Sequence, residues 1–165
     1  MFFRRFGLAS LLGALIGLSL AGSAAALTTT TGSFSVSMTI TNQCAVSSPT
    51  NLTFTSTGLL TANVNGSSTF NVQCTASTPF TIGLQLQSGE TSSARVLTGS
   101  AGTITYALYS ASDYSAVWGN TSGTDTVGGT GDGAAHSYTV YGRVPPQNTP
   151  AAGAYTESVT IGVTY

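Results

Sequence analysis

His136 follows Asp132 by four residues in a chain crowded with serines, and an imidazole placed between a carboxylate and a hydroxyl is how nucleophilic hydrolases activate their serine. Here the histidine borders a glycine run, Val127-Gly-Gly-Thr-Gly-Asp-Gly133, where a solvated side chain is the better reading. The same run resembles a phosphate-cradling loop, but no helical pattern follows it to supply the amide dipoles such loops need. It also resembles a calcium-binding Gly-Gly-x-Gly-x-Asp repeat, with Asp132 one place early and one copy where stacked copies are required. A hairpin tip is the reading adopted. Two cysteines and one histidine fall short of a four-ligand structural zinc site, and no pair of them has knuckle or helical spacing. No catalytic, cofactor or metal residue is assigned, and an enzyme is not expected.

Cys44 and Cys74 remain, and their chemistry depends on compartment. Arg4 and Arg5 form a positive n-region, Phe6 to Leu20 is an apolar stretch, and Ala21-Gly-Ser-Ala-Ala-Ala26 offers small residues to a signal peptidase. The apolar stretch is short for a bilayer core of about 30 Å, so cleavage after Ala26 is expected in preference to a retained anchor. In an oxidising compartment the two cysteines are expected to pair. Closing that loop would stabilise the fold by about 3–4 kcal/mol in the chain-entropy model.

Cleavage leaves 139 of the 165 residues, the size of one domain. Arg95 and Arg143 then face Glu90, Asp113, Asp125, Asp132 and Glu157, a side-chain sum of −3 from +2 and −5, and the chain has no lysine. Nothing basic could neutralise a run of phosphates, which excludes nucleic acid as a partner. A wet surface built from Ser, Thr, Asn, Gln and Gly repels its neighbours weakly, which suits a protein that associates. Asn51, Asn65 and Asn120 head sequons that a Ser/Thr-rich chain produces by chance, and glycosylation is not expected. Trp118 could be a sugar-stacking platform, but a single aromatic is read as packing.

These residues would be held by strands. Leu52 and Phe54 alternate with polar residues, as do Phe70, Val72 and Cys74; Phe80, Ile82, Leu84 and Leu86; Ile104, Tyr106 and Leu108; and Tyr138, Val140 and Val144. Turn signals at Asn65-Gly-Ser, Gln87-Ser-Gly-Glu, Leu97 to Gly102 and Val127 to Gly133 separate them at the spacing of an antiparallel sandwich or barrel. No stretch after the signal has a helical period, so the class is all-β. Two alternating segments lie near the ends: Phe34, Val36, Met38 and Ile40, and the run Tyr155 to Tyr165 with Val159, Ile161, Val163 and Tyr165 on one side. Apart from Glu157, neither carries the charge, proline or bulge that blunts a strand edge, so assembly by strand exchange is the first expectation.

The motifs also converge in order. Phe34-Ser-Val36 running into Asn42-Gln-Cys44, Phe70-Asn-Val-Gln-Cys-Thr75 with Pro79-Phe80, Tyr106-Ala-Leu-Tyr109, Trp118-Gly119, Val140-Tyr-Gly-Arg-Val-Pro145 and Gly153-Ala-Tyr155 ending in Val163-Thr-Tyr165 together resemble the spore coat protein U domain. That family comprises secreted coat proteins and subunits of archaic, Csu-type chaperone–usher pili. The resemblance implies an immunoglobulin-like antiparallel sandwich that is incomplete and completed by a donated strand. It implies a periplasmic chaperone that fills the groove, an outer-membrane usher that exchanges subunits, and identical or homologous subunits joined head to tail. On this sequence the signal peptide is 1–26, the donor-strand arm 27–41 and the sandwich 42–165. The donor side chains are Phe34, Val36, Met38 and Ile40, and the C-terminal strand with Val159, Ile161, Val163 and Tyr165 borders the acceptor groove. Such a subunit passes through the periplasm to a surface pilus, serving adhesion and biofilm, or to an extracellular coat. The size leaves no space for the second domain of a tip adhesin, so a shaft or minor subunit is expected. The alternative is a secreted monomeric module binding carbohydrate or a surface ligand, which would need several exposed aromatics on one face.

Overall fold

A computed structural model describes residues 25–55 and 58–165, so the expected signal peptide lies almost wholly outside the described residues. The chain divides into two units, Met1–Met38 and Thr39–Tyr165. In the first, residues 25–38 carry no regular secondary structure and all are exposed.

The second unit is built from nine strands and, among the described residues, no helix: β1 (Cys44–Ser47), β2 (Val64–Cys74), β3 (Pro79–Leu84), β4 (Arg95–Gly99), β5 (Gly102–Tyr109), β6 (Val127–Thr130), β7 (Ala135–Val144), β8 (Tyr155–Thr156) and β9 (Ile161–Thr164). One sheet has the order β1-β2-β7-β5-β4-β8 and the other β6-β3-β9. Every pairing is antiparallel. The spine is β2 against β7, in register from Val64 opposite Val144 to Gln73 opposite Ala135. Side chains alternate across a strand, so even positions on both turn inward: Phe70, Val72 and Cys74 from β2, Val140 and Val144 from β7. Phe80, Ile82 and Leu84 of β3, with Ile161 and Val163 of β9, meet them from the other sheet in one core. Each fully buried apolar side chain contributes about 1.5–3 kcal/mol, and this core is what holds the two sheets together.

Cys44 and Cys74 lie directly opposite each other on β1 and β2 and form the expected disulfide, with Cα atoms 4.1 Å apart. Trp118 is a packing residue. It is 1% exposed, its ring centroid lies 5.9 Å from that of Phe70, and its indole N–H donates to the Ile82 carbonyl at 2.9 Å.

Five segments depart from the sequence reading, the first being Asn65-Gly-Ser67, expected as a turn but paired with β7 inside β2. The run from Tyr155 to Tyr165 alternates like one strand but serves as two: β8 pairs with β4 and β9 with β3, so the chain changes sheet between them. The crossover coincides with Glu157, whose carboxylate turns inward to Tyr106 and Arg95 instead of joining a ladder. Leu52 and Phe54 belong to no strand, although Thr50 beside them bonds Thr69 of β2. The residues from Val127 were read as a loop, yet Val127–Thr130 form β6, with Gly129 opposite Phe80. A Cβ at Gly129 would meet the Phe80 ring at 2.8 Å, so the glycine marks a close approach of ring to backbone. Finally β4 arises where only a turn at Leu97 was expected, because its inward positions are Leu97 and a charged residue, Arg95, which breaks the apolar alternation.

Candidate functional site

Between the two sheets of the second unit runs an open groove of about 900 Å³. Residues 49–55 line one side and 149–153, 155–159 and Ile161 line the rest, over a floor of core side chains including Phe70, Leu84, Leu108 and Val140. Both sides are held from behind. The Thr50 amide donates to the Thr69 carbonyl at 2.9 Å, the Thr69 amide donates back to Thr50 Oγ1 at 2.8 Å, and Ser68 Oγ donates to the Thr50 carbonyl at 2.7 Å. On the far side the Gln85 amide donates to the Thr160 carbonyl at 2.9 Å, and Gln87 Nε2 donates to the Ser158 carbonyl at 3.2 Å. The first side also depends on two glycines that face each other across β2 and β7, Gly66 and Gly142. A Cβ at Gly142 would lie 2.9 Å from Leu52 and Phe54, and one at Gly66 would lie 2.7 Å from the Thr53 carbonyl oxygen. The bare backbone there is what lets Leu52 and Phe54 settle against the sheet.

β9 is the outer strand of its sheet and, among the described residues, its row of N–H and C=O groups away from β3 joins no ladder; its first residue, Ile161, lines the groove. Such a row is a template for strand addition.

One end of the groove is polar. Arg95, 0% exposed, reaches from β4 across the sandwich and donates to the Leu84 carbonyl at 2.6 Å and the Gln85 carbonyl at 3.0 Å. Its Nη1 also lies 3.5 Å from Glu157 Oε1, while Tyr106 Oη donates to Glu157 Oε2 at 2.5 Å. Among the described residues Arg95 Nε has no hydrogen-bond partner. Burial raises the Glu157 carboxyl, opposed by the Tyr106 hydrogen bond, reinforced by the Glu90 charge and opposed again by Arg95. Burial, followed by the bond to Glu157, drives the Tyr106 hydroxyl far upward, so it stays a donor at every ordinary pH. Tyr106 and Glu157 both line the groove. The sequence reading used Arg95 and Glu157 only in a charge count, although Arg95 shares the parity of Leu97 in an alternating run, and that was a legible sign of an inward-facing cation.

Of the residues expected to border a groove, Val159 and Ile161 line it, Val163 packs against the core beside it, and Tyr165 is 57% exposed. The expected donor side chains Phe34, Val36, Met38 and Ile40 are 89%, 86%, 86% and 74% exposed. Among the described residues no three His, Cys, Asp or Glu side chains cluster to hold a metal. His136 and Asp132 form an exposed pair at 2.9 Å, and among the described residues no serine bonds to either of them. The Ala134 amide, followed by His136, holds the Asp132 carboxyl below its ordinary range.

A β-sandwich with an open groove bordered by an outer strand has the geometry to receive an extended segment. The chain belongs to the Spore Coat Protein U domain family, whose family model matches residues 30–162. No curated protein matches it. Among solved structures, it is similar to a chain of the CsuC–CsuE chaperone–tip adhesion subunit pre-assembly complex from archaic chaperone–usher Csu pili of Acinetobacter baumannii, with 17% identity and a TM-score of 0.57. The match covers 77% of this chain and 41% of that one, and at this identity the likeness is one of fold.

Proposed function

We propose that this chain is an exported structural subunit that polymerises by donor-strand exchange into a surface pilus or an extracellular coat. The observation that carries the reading is the groove: an apolar floor, two well-anchored sides and an unpaired row of backbone groups on β9. That combination suits an extended segment whose alternate side chains point into pockets while its backbone pairs with the edge. Residues 27–41 would be the segment, given to the groove of the next copy, with 42–165 as the acceptor sandwich and 1–26 as the signal for export. Phe34, Val36, Met38 and Ile40 would supply the alternate side chains, each contributing about 1.5–3 kcal/mol when buried. Val159, Ile161, Val163 and Tyr165 would flank the incoming strand. A head-to-tail contact of this kind is heterologous and does not close, so it builds fibres.

Before exchange the groove would need a temporary occupant, which is the role of a periplasmic chaperone, and an outer-membrane usher would exchange that occupant for the next arm. Both partners are supported by family membership and by the chaperone complex among the fold neighbours. A peptide spanning Ser33 to Thr41 tests the reading. Added to the exported chain truncated before Thr41, it is expected to raise the thermal unfolding temperature with the logarithm of its concentration above the dissociation constant, as any ligand of the native state does. A truncated chain that unfolds cooperatively at one temperature with or without peptide would show a complete sandwich and end the proposal.

A further inference from the structure

The outer face of the six-stranded sheet carries a second feature, independent of the groove. Tyr109, Tyr141 and Ser67 stand directly opposite one another across β5, β7 and β2, and Asn65 stands opposite Arg143 one pair along on the same side. The loop after β5 folds back over them and adds Tyr114. Its ring lies edge-on to Tyr109 at 5.4 Å and to Tyr141 at 6.4 Å, and the Arg143 guanidinium carbon sits 3.5 Å from its centroid. The result is a hollow of about 340 Å³ lined by Asn65, Gly66, Ser67, Ser112, Tyr114 and Tyr141, at the small end of the range for ligand pockets.

The hollow is prebuilt. The Ser110 amide donates to the Ala116 carbonyl at 3.0 Å, the Tyr114 amide donates to the Ala111 carbonyl at 3.0 Å, and Asp113 Oδ1 accepts from the Ser115 amide and hydroxyl at 3.0 and 2.7 Å. That frame holds Tyr114 at φ 62°, a left-handed conformation that costs a non-glycine residue energy and is retained where the surroundings enforce it. Arg143 locks the same ring from the sheet side, and its Nε donates to Asn65 Oδ1 at 3.0 Å, which leaves the Asn65 amide nitrogen turned to other partners. Among the described residues no hydrogen bond engages the hydroxyls of Tyr109, Tyr114 or Tyr141.

The chemistry of this lining narrows the ligand. An anion is disfavoured, because the described residues contain only two cationic side chains of fixed charge, Arg95, which is buried, and Arg143, already committed to Tyr114 and Asn65. A purely apolar ligand would leave the Asn65 amide and the serine hydroxyls without partners. A ring with apolar C–H faces and a hydroxylated rim satisfies both parts of the surface. We propose that this hollow binds a neutral saccharide, with one sugar ring laid against the Tyr114 and Tyr141 rings and its hydroxyls bonded to Asn65, Ser67 and Ser112.

The test uses the full exported chain, isotope-labelled, titrated with maltotriose, mannotriose and the trimer of N-acetylglucosamine while its amide resonances are followed. At least one probe is expected to give saturable shifts confined to Ser67, Ser112, Tyr114, Tyr141 and their neighbours, with an affinity in the millimolar range or tighter. Tyr141→Ala is expected to weaken that binding about tenfold or more. Ser67→Phe, which fills the hollow from an exposed position, is expected to abolish it with the unfolding temperature unchanged. No saturable shift with any probe, shifts centred elsewhere, or binding that survives Ser67→Phe would overturn the assignment. So would a decaproline peptide that binds at these residues when the sugars do not, which would make the hollow a peptide site. The site lies outside the groove and the arm, so the outcome stands apart from that of the strand-exchange test.

Discussion

Arg95 shows how a single buried cation ties the two sheets together. The guanidinium crosses from β4 to carbonyls at the end of β3, and its charge is met by a carboxylate whose side chain is 6% exposed. Removing one member of such a pair strands the other in a low dielectric, which costs about 3–5 kcal/mol. Arg95→Met is therefore expected to lower the urea-unfolding free energy by about that amount, whereas an unchanged midpoint would mean the pair is structurally idle. Glu157 gives a second, pH-dependent signature. A carboxyl whose pKa is higher folded than unfolded holds its proton more tightly in the native state, so ionising it costs stability. That cost is absent below the unfolded value of about 4.3 and complete once the pH has risen through the folded value. The unfolding free energy of the parent relative to Glu157→Gln is thus expected to fall as pH rises across that window and to level off above it. A difference that does not vary with pH would show that the carboxyl is not perturbed by its burial.

At the scale of elements, the sides of the groove are placed by what the strands behind them lack. Gly66 and Gly142 leave the sheet bare where Leu52 and Phe54 lie. Gly142→Val is expected to push that segment outward at a cost of about 1–3 kcal/mol, as overpacking does, and to weaken binding of the Ser33 to Thr41 peptide. Gly128→Ala is the control, since its nearest neighbour would be in ordinary contact at 3.5 Å. If both substitutions behave alike, the close approach at Gly142 does not set the groove. Elements whose burial follows period two were legible in the sequence: Phe70 to Cys74, Phe80 to Leu84 and Tyr106 to Leu108 all appear as strands. Elements set by tertiary contacts were not. A glycine run became β6 because the Phe80 ring needed a partner without side chains, and one alternating run became β8 and β9 because Glu157 turned inward at the crossover. The cysteine pairing was legible from count and compartment. The groove was only half legible, because its C-terminal side alternates visibly while its other side, 49–55, belongs to no strand.

For the whole molecule, the question is why a chain with a closed disulfide and a good core keeps a groove open. A chain with few charges and no lysine has little electrostatic protection against association, so an outer strand edge beside an apolar floor invites a strand. In the proposed assembly that invitation is the mechanism, and the specificity rests on the spacing of four side chains. Phe34, Val36, Met38 and Ile40 share one face of an extended arm and span about 20 Å at the rise of a β-strand. Replacing Val36 or Met38 with Asp would carry a charge toward a dry floor, at a cost of several kcal/mol unless it is neutralised. Each substitution is expected to abolish fibres seen by electron microscopy, while intact-mass measurement still finds the Cys44 to Cys74 bridge closed. The acceptor side of each variant is unaltered, so each should still bind the Ser33 to Thr41 peptide of the parent sequence. Mixing makes the two roles separable. A Val36→Asp chain should accept a parent arm but offer none, and so cap growing fibres at one end and shorten them in proportion to its share. If Val36→Asp and Met38→Asp chains assemble as the parent does, the polymerising strand lies elsewhere in the sequence.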